Sequence, residues 1–255
     1  MILKNPKEER KYREAAEISM QILQELGNSI KEGVTSLDID NLALELCKQY
    51  HVKPSFKGVG GYKYNSCISV NDIAVHGVPN STPFKNGDLV SIDFGVIYKG
   101  FHTDHCWTWS VGKPSSENLK LMNTAREAVE NAANLAISGT YTGDLGNMME
   151  TTALKNGYRT VKMFVGHGIG KSLHEFPEIP AFGEPGTGDL LREGMVVCVE
   201  CQVVDDTGEV YISKEDGWSV HTELGGNSAM YEFMIIVGKR TPEFLTDTRD
   251  WPVVA

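Results

Sequence analysis

The chain repeats itself at long range. Gly33, Asp38 and Asn41 return as Gly139, Asp144 and Asn147, a displacement of 106 residues. The run Asn-Gly-Asp-Leu-Val-Ser-Ile-Asp at 86–93 lines up with Glu-Gly-Met-Val-Val-Cys-Val-Glu at 193–200, a displacement of 107, so that Asp93 falls on Glu200. Helix and strand starts reuse Gly and Asp, which is the simpler account of any single match. The period is nevertheless far longer than the roughly 20–50 residues of stacked repeats. A unit copied once has to bury its apolar face against its twin. The expected architecture is therefore α+β, with two helix pairs backing an antiparallel sheet and a site at the pseudo-two-fold axis. Of the 255 residues, 41% are hydrophobic, enough for one large core. We expect one domain over residues 1–240, with halves at about 1–112 and 113–240, and a C-terminal tail at 241–255.

Each half opens with a helix pair. Asn5 is placed to cap a first helix with Pro6 at its first position; Ala15, Ile18, Ile22, Leu26 and Ile30 follow at helical spacing until Gly33. Thr35 and Asp38 form a capping-box start for a second, whose Leu42 and Leu46 continue the apolar face toward Tyr50. The second half predicts a helix over about 116–138 and another over about 143–156, with Gly157 placed to end it.

Between the helices lie strands that carry acids on unusual faces. Over 89–96, Val90, Ile92, Phe94 and Val96 alternate with Ser91, Asp93 and Gly95. A turn centred on Tyr98 and Lys99 would set Asp93 opposite Asp104, where two like charges need a cation between them. Alone, that pair reads as solvated surface acids. Glu200, however, sits on the same kind of alternating strand over 195–203, and Glu232 lies in an apolar one over 229–237, where an unpaired charge would cost several kcal/mol. With His167 in the turn Gly166-His167-Gly168-Ile169-Gly170, these residues form a donor set of hard oxygens and one nitrogen, suited to Mn, Fe or Co. That turn lacks Walker spacing, so it is not a phosphate loop. A lone histidine there would be structural; its company makes the case.

Bulk properties narrow the classes. A net charge of −10 argues against nucleic acid as a partner. The first residues are charged rather than apolar, and no run is long enough to span a bilayer, so neither a targeting segment nor a membrane is expected. Five cysteines at scattered positions fit reduced thiols in the cytoplasm. Cys198 and Cys201 form a C-x-x-C, but on a strand they point to opposite faces and do not make a redox or zinc pair.

These residues resemble, from the first helix to about Gly238, a type I methionine aminopeptidase of the M24 family, with its pita-bread fold. The segments that carry the resemblance are Asn71-Asp72-Ile73-Ala74-Val75-His76-Gly77-Val78-Pro79, then Asp93 and Asp104, then 166–170 with His174, Glu175 and Pro177, then Glu200, then Glu232. The resemblance implies hydrolytic removal of N-terminal methionine from nascent proteins and peptides with a small second residue. It also implies two divalent ions held by Asp93, Asp104, His167, Glu200 and Glu232, with Asp104 and Glu232 bridging. Glu200 would relay a proton, His174 would donate to the developing oxyanion, and His76 would position the scissile nitrogen. Tyr62, Cys67, Phe176 and Trp218 would line the methionine pocket, though ordinary core is an equal account of those four. Asn71 and Ser228 match a monovalent-cation position. Nascent chains, met at the ribosome exit for example, would be the partners of a monomeric enzyme.

Four neighbours of the matched residues depart from the family pattern: His105 where threonine is frequent, Phe176 where an acid is commoner, Cys201 where proline is usual, and Phe233-Met234 in place of His-Thr. Changes beside ligands can alter affinity or activity about 10- to 100-fold. Two rivals share the fold. A proline-specific peptidase usually carries an extra amino-terminal domain, whereas here the first fold helix starts at about Asn5; a non-catalytic relative would lack ligands, whereas all five are present. The stretch between His174 and Glu200 is too short for the insertion of the type II enzymes.

Overall fold

The computed structural model describes residues 1–3 and 5–255. Helix α1, Pro6–Asn28, opens on Asn5, whose side chain accepts from the N–H groups of Lys7 and Glu8, both at 3.1 Å. It ends short of Gly33. The N–H groups of Ser29 and Ile30 turn back onto Leu26 and Gly27, and that of Gly33 is taken by the Phe84 carbonyl. Helix α2, Ser36–Gln49, has its capping box: Asp38 N–H donates to Thr35 Oγ1 at 3.1 Å, and Thr35 N–H to the Asp38 carboxylate at 3.0 Å. Helix α3 spans Ser116–Asn134 and α4 Thr142–Lys155. At α4, Tyr141 N–H donates to the Asp144 carboxylate at 2.8 Å, so the repeated aspartate does the same work in both halves. The end predicted for α3, at residue 138, fails for a tertiary reason: Ser138 N–H is drawn to the Gly238 carbonyl at 2.8 Å.

The helices pack on one antiparallel sheet, to which nine strands belong among the described residues. Seven carry the argument: β1 Cys67–Val70, β2 Leu89–Phe94, β3 His105–Ser110, β4 Val165–Gly168, β5 Glu175–Pro180, β6 Val196–Val204 and β7 Ser228–Ile236. Their spatial order is β5-β4-β6-β7-β3-β2-β1. The β6–β7 and β2–β3 pairs thus flank the β7/β3 junction, the strand counterpart of the helix repeat. On the helix side, Val197, Val199, Tyr231 and Phe233 are fully buried in one core with Ala125, Ala128, Val129 and Ala132 of α3. Gly27 of α1 lies so close to β3 that a Cβ there would overlap the Trp109 indole. The last residues also pack down: Phe244 pairs with Ile235, and Trp107 Nε1–H donates to the Pro252 carbonyl at 3.0 Å.

The β2–β3 connection corrects the predicted register. Its turn is Lys99-Gly100, with φ of 49° and 85°, and Tyr98 pairs with Phe101. Both central residues of such a turn need positive φ, which glycine accepts and a bulky tyrosine resists. Carried along the ladder, that turn puts Cys106, not Asp104, opposite Asp93. The ladder also breaks on the way: Thr103 Oγ1 accepts from Val96 N–H at 2.8 Å, and Asp104 stands just ahead of β3.

Candidate metal centre

Strand register assembles most of the site in one row. Glu200 on β6 faces Glu232 on β7, Glu232 faces Cys106 on β3, Cys106 faces Asp93 on β2, and Asp93 faces Cys67 on β1. Directly opposed residues of adjacent strands share a sheet face. The opposed like charges are therefore Glu200 and Glu232, while Asp104 reaches Asp93 from two residues along the neighbouring strand; these two side chains are hydrogen-bonded to each other. His167 on β4 lies across from Cys198 on β6. Its Nε2 stands 3.6 Å from Asp104 Oδ2 and 3.9 Å from Glu200 Oε1. The Gly168 carbonyl, 3.0 Å from Nδ1, can only accept, so Nδ1 carries a proton and Nε2 is the nitrogen that faces the acids.

The charge balance of this row calls for a cation. Burial pushes the carboxyl groups of Asp93, Asp104 and Glu232 well above the usual range, and neighbouring acids push them further. Burial raises Glu200 to about 7, against the opposing pull of His167 and of Gln202, whose Nε2 donates to Glu200 Oε2 at 3.0 Å. Asp93 Oδ1, Asp104 Oδ1 and Glu232 Oε1 are buried with no hydrogen-bond partner. Buried oxygens are ordinarily satisfied, and a divalent ion satisfies several at once. Single ligand atoms of Asp104, His167, Cys198 and Glu232 lie within 4.8 Å of one another, so the donors present fit a divalent metal.

Beside the row opens a cavity of about 370 Å³. Tyr62, Cys67 and Trp218 line it, with the Tyr62 and Trp218 rings 5.0 Å apart edge to face. Phe176 does not line it. That side chain is 65% exposed, in the stretch where the β5–β4 register shifts between Glu175 and Glu178, and the buried Leu173 takes part in the wall instead. His76 and His174 both face the cavity, and burial lowers each to about 4, so both rings are neutral near pH 7. The His76 ring packs on Phe164 at 4.9 Å and the His174 ring on His167 at 4.4 Å. At the far end of β7, Ser228 N–H donates to the Asn71 carbonyl at 2.8 Å, and Ser228 Oγ is buried without a partner.

The departures beside the acids sort by face. Cys201 and Phe233 alternate into the helix-packed core, and His105 turns to Ser19, its Nε2 2.9 Å from that hydroxyl. They touch none of the acids' free oxygens. The residues two positions away are the ones that share the acids' face. Cys106, Cys198, Gln202 and Met234 all do so, and Met234 Sδ accepts from Asp104 N–H at 3.3 Å. The period of two already sets Cys198 and Gln202 beside Glu200 and Met234 beside Glu232, but none of these four is among the residues the resemblance assigns to the site.

Comparison with known proteins agrees with this geometry. Residues 10–239 match metallopeptidase family M24. A methionine aminopeptidase of Clostridium perfringens is 38% identical over 96% of this chain and 98% of its own length. The crystal structure of a methionine aminopeptidase from Thermotoga maritima superposes with a TM-score of 0.93 at 38% identity, covering 96% of this chain and 99% of that one. A prolidase from Pyrococcus horikoshii shares the fold at a TM-score of 0.78, but with 24% identity and with only 63% of its chain covered.

Proposed function

This chain belongs to metallopeptidase family M24, and from that premise we infer that it hydrolyses N-terminal methionine from nascent proteins and peptides with a small second residue. One observation carries the reading: a row of buried carboxylates with unsatisfied oxygens abuts an apolar cavity through Asp93 and its cross-strand neighbour Cys67. A thioether fits the aromatic and sulfur lining of Tyr62, Cys67 and Trp218, with Leu173 in place of Phe176.

In this reading Asp93, Asp104, His167, Glu200 and Glu232 hold two divalent ions, of Mn, Fe or Co, and Asn71 with Ser228 holds a monovalent cation. When bound, the divalent pair supplies a Lewis acid that polarises the scissile carbonyl and acidifies a water. Glu200 would take a proton from the attacking water and pass it to the leaving amine. Neutral His174 donates a hydrogen bond toward the carbonyl oxygen as negative charge gathers there, and neutral His76 orients the scissile nitrogen. The free amino terminus of the substrate would reach the metal site, which would limit cleavage to the first residue. Nascent chains emerging from the ribosome are the partners, and the enzyme acts as a cytoplasmic monomer.

The test compares substrates. Metal-loaded protein should release methionine from Met-Ala peptides and leave Xaa-Pro peptides intact; rapid Xaa-Pro cleavage with no action on Met-Ala would overturn this in favour of a proline-specific peptidase.

A further inference from the structure

We propose that Cys198 is a sulfur donor to the metal centre, a sixth protein ligand beside the four carboxylates and His167. The proposal rests on the reading that these residues hold a divalent metal. Its first support is position. Cys198 lies two residues before Glu200 on β6, so both side chains leave the same face of the strand. Register then puts it directly across from His167 on one side and Met234 on the other.

The second support is convergence. Its thiol sulfur, an Asp104 oxygen, a His167 ring nitrogen and a Glu232 oxygen all fall within 4.8 Å of one another, and all four side chains are buried. Two of those acids, Asp104 and Glu232, each have a buried oxygen with no partner, which itself points to a cation among these atoms. The thiol is hydrogen-bonded to the Glu232 carboxyl group.

The other cysteines differ. Cys106 shares the face but gives its thiol to the Met230 carbonyl at 3.7 Å, Cys67 is engaged with Tyr62, and Cys201 is buried on the helix side. Cys47 lies in α2. Among the described residues, Cys198 is therefore the one thiol aimed into the carboxylate cluster.

The chemistry balances simply. As a divalent ion enters, the S–H bond breaks, a metal–sulfur bond forms, and the proton passes to solvent. Sulfur and nitrogen among carboxylate oxygens make a borderline-soft donor set that favours zinc, cobalt(II) or iron(II) over manganese.

X-ray absorption on the full chain loaded stoichiometrically with zinc tests this. The expected result is one sulfur at about 2.3 Å from the metal. Cys198→Ser should lose that sulfur shell and Cys201→Ser should keep it; the preference for zinc over manganese, read by competition, should fall about 10-fold or more in Cys198→Ser. The cobalt(II) form should show a sulfur-to-cobalt charge-transfer band that disappears with Cys198→Ala. Bound zinc with only nitrogen and oxygen neighbours in the unmodified chain overturns the proposal while leaving the metal-dependent reading intact, and this measurement needs no variant to fold. A sulfur shell that persists in Cys198→Ser overturns it as well. Failure to bind any divalent ion overturns both.

Discussion

The two faces of β6 and β7 are buried to nearly the same degree and hold together by opposite means. On one face Val197, Val199, Tyr231 and Phe233 meet α3 and bury apolar surface. On the other, Glu200 and Glu232 stand opposed with Asp93, Asp104 and His167 around them, and several of their oxygens have no protein partner. One face stabilises the fold as it stands. The other costs stability until something positive enters it, because like charges are held there out of water. Burial alone does not mark a core: what a buried face lacks tells what it binds.

The sharpest way to separate the faces is a pair of substitutions on adjacent residues of one strand pair. Glu200→Gln should lower kcat about 10²- to 10⁴-fold, with the unfolding midpoint in urea unchanged or raised. A lowered midpoint would mean that Glu200 serves the core. Phe233→Ala should do the reverse, costing about 3–5 kcal/mol in urea unfolding while the turnover of the folded fraction stays as it was. The Phe233 ring packs on Trp107 and Phe244, with centroids 6.4 and 5.4 Å away, and touches no predicted ligand. A kcat loss beyond the unfolded fraction would join the two faces functionally.

Metal removal addresses the site face alone. At a free metal concentration about 100 times Kd, loading should add about 2.7 kcal/mol to stability, and chelation should take it away without changing the far-ultraviolet circular dichroism of the helices. A collapse of helix signal on chelation would break the contrast.

The smallest expected effect is in pH. Metal-free, Glu200 titrates at about 7, above its unfolded value, and Asp93, Asp104 and Glu232 are raised too. A raised acid stabilises fully below its unfolded pKa and loses that contribution as pH rises through the folded one. His76 and His174, lowered to about 4, act oppositely and only below about 6.5. Metal-free protein should therefore gain on the order of 1 kcal/mol as pH falls from about 8 to 6.5. Metal-loaded protein should lose stability over the same range, since protons compete with the ion. Parallel slopes for the two forms would remove the argument for an ionic site.

Much of the fold was legible because its signals are local. Asn5, Pro6, Thr35 and Asp38 set helix starts through bonds spanning three residues or fewer, so they read correctly in isolation. The ends of α2 and α4, at Tyr50 and before Gly157, read correctly too; the ends of α1 and α3 and the β2–β3 register did not, since Gly33 answers to Phe84, Ser138 to Gly238, and the turn to the positive φ of Lys99 and Gly100. At the site, alternation placed the acids on one face, whereas the resemblance gave Phe176 a place in the cavity that its 65% exposure denies, and Leu173 beside His174 lines the wall instead.

By itself the sequence determined which residues lie on which side of each strand, where helices begin, and that the chain carries a duplicated plan ending twice in a carboxylate. Those properties follow from periods of 2 and 3.6 and from short-range hydrogen bonds. Only the tertiary structure decided which acids meet, that Glu232 rather than Asp104 lies across from a second carboxylate, and that Cys198 joins them. Cross-strand register is fixed by turns and breaks far from the residues it pairs, and a shift of one turn position moves every partner down the ladder.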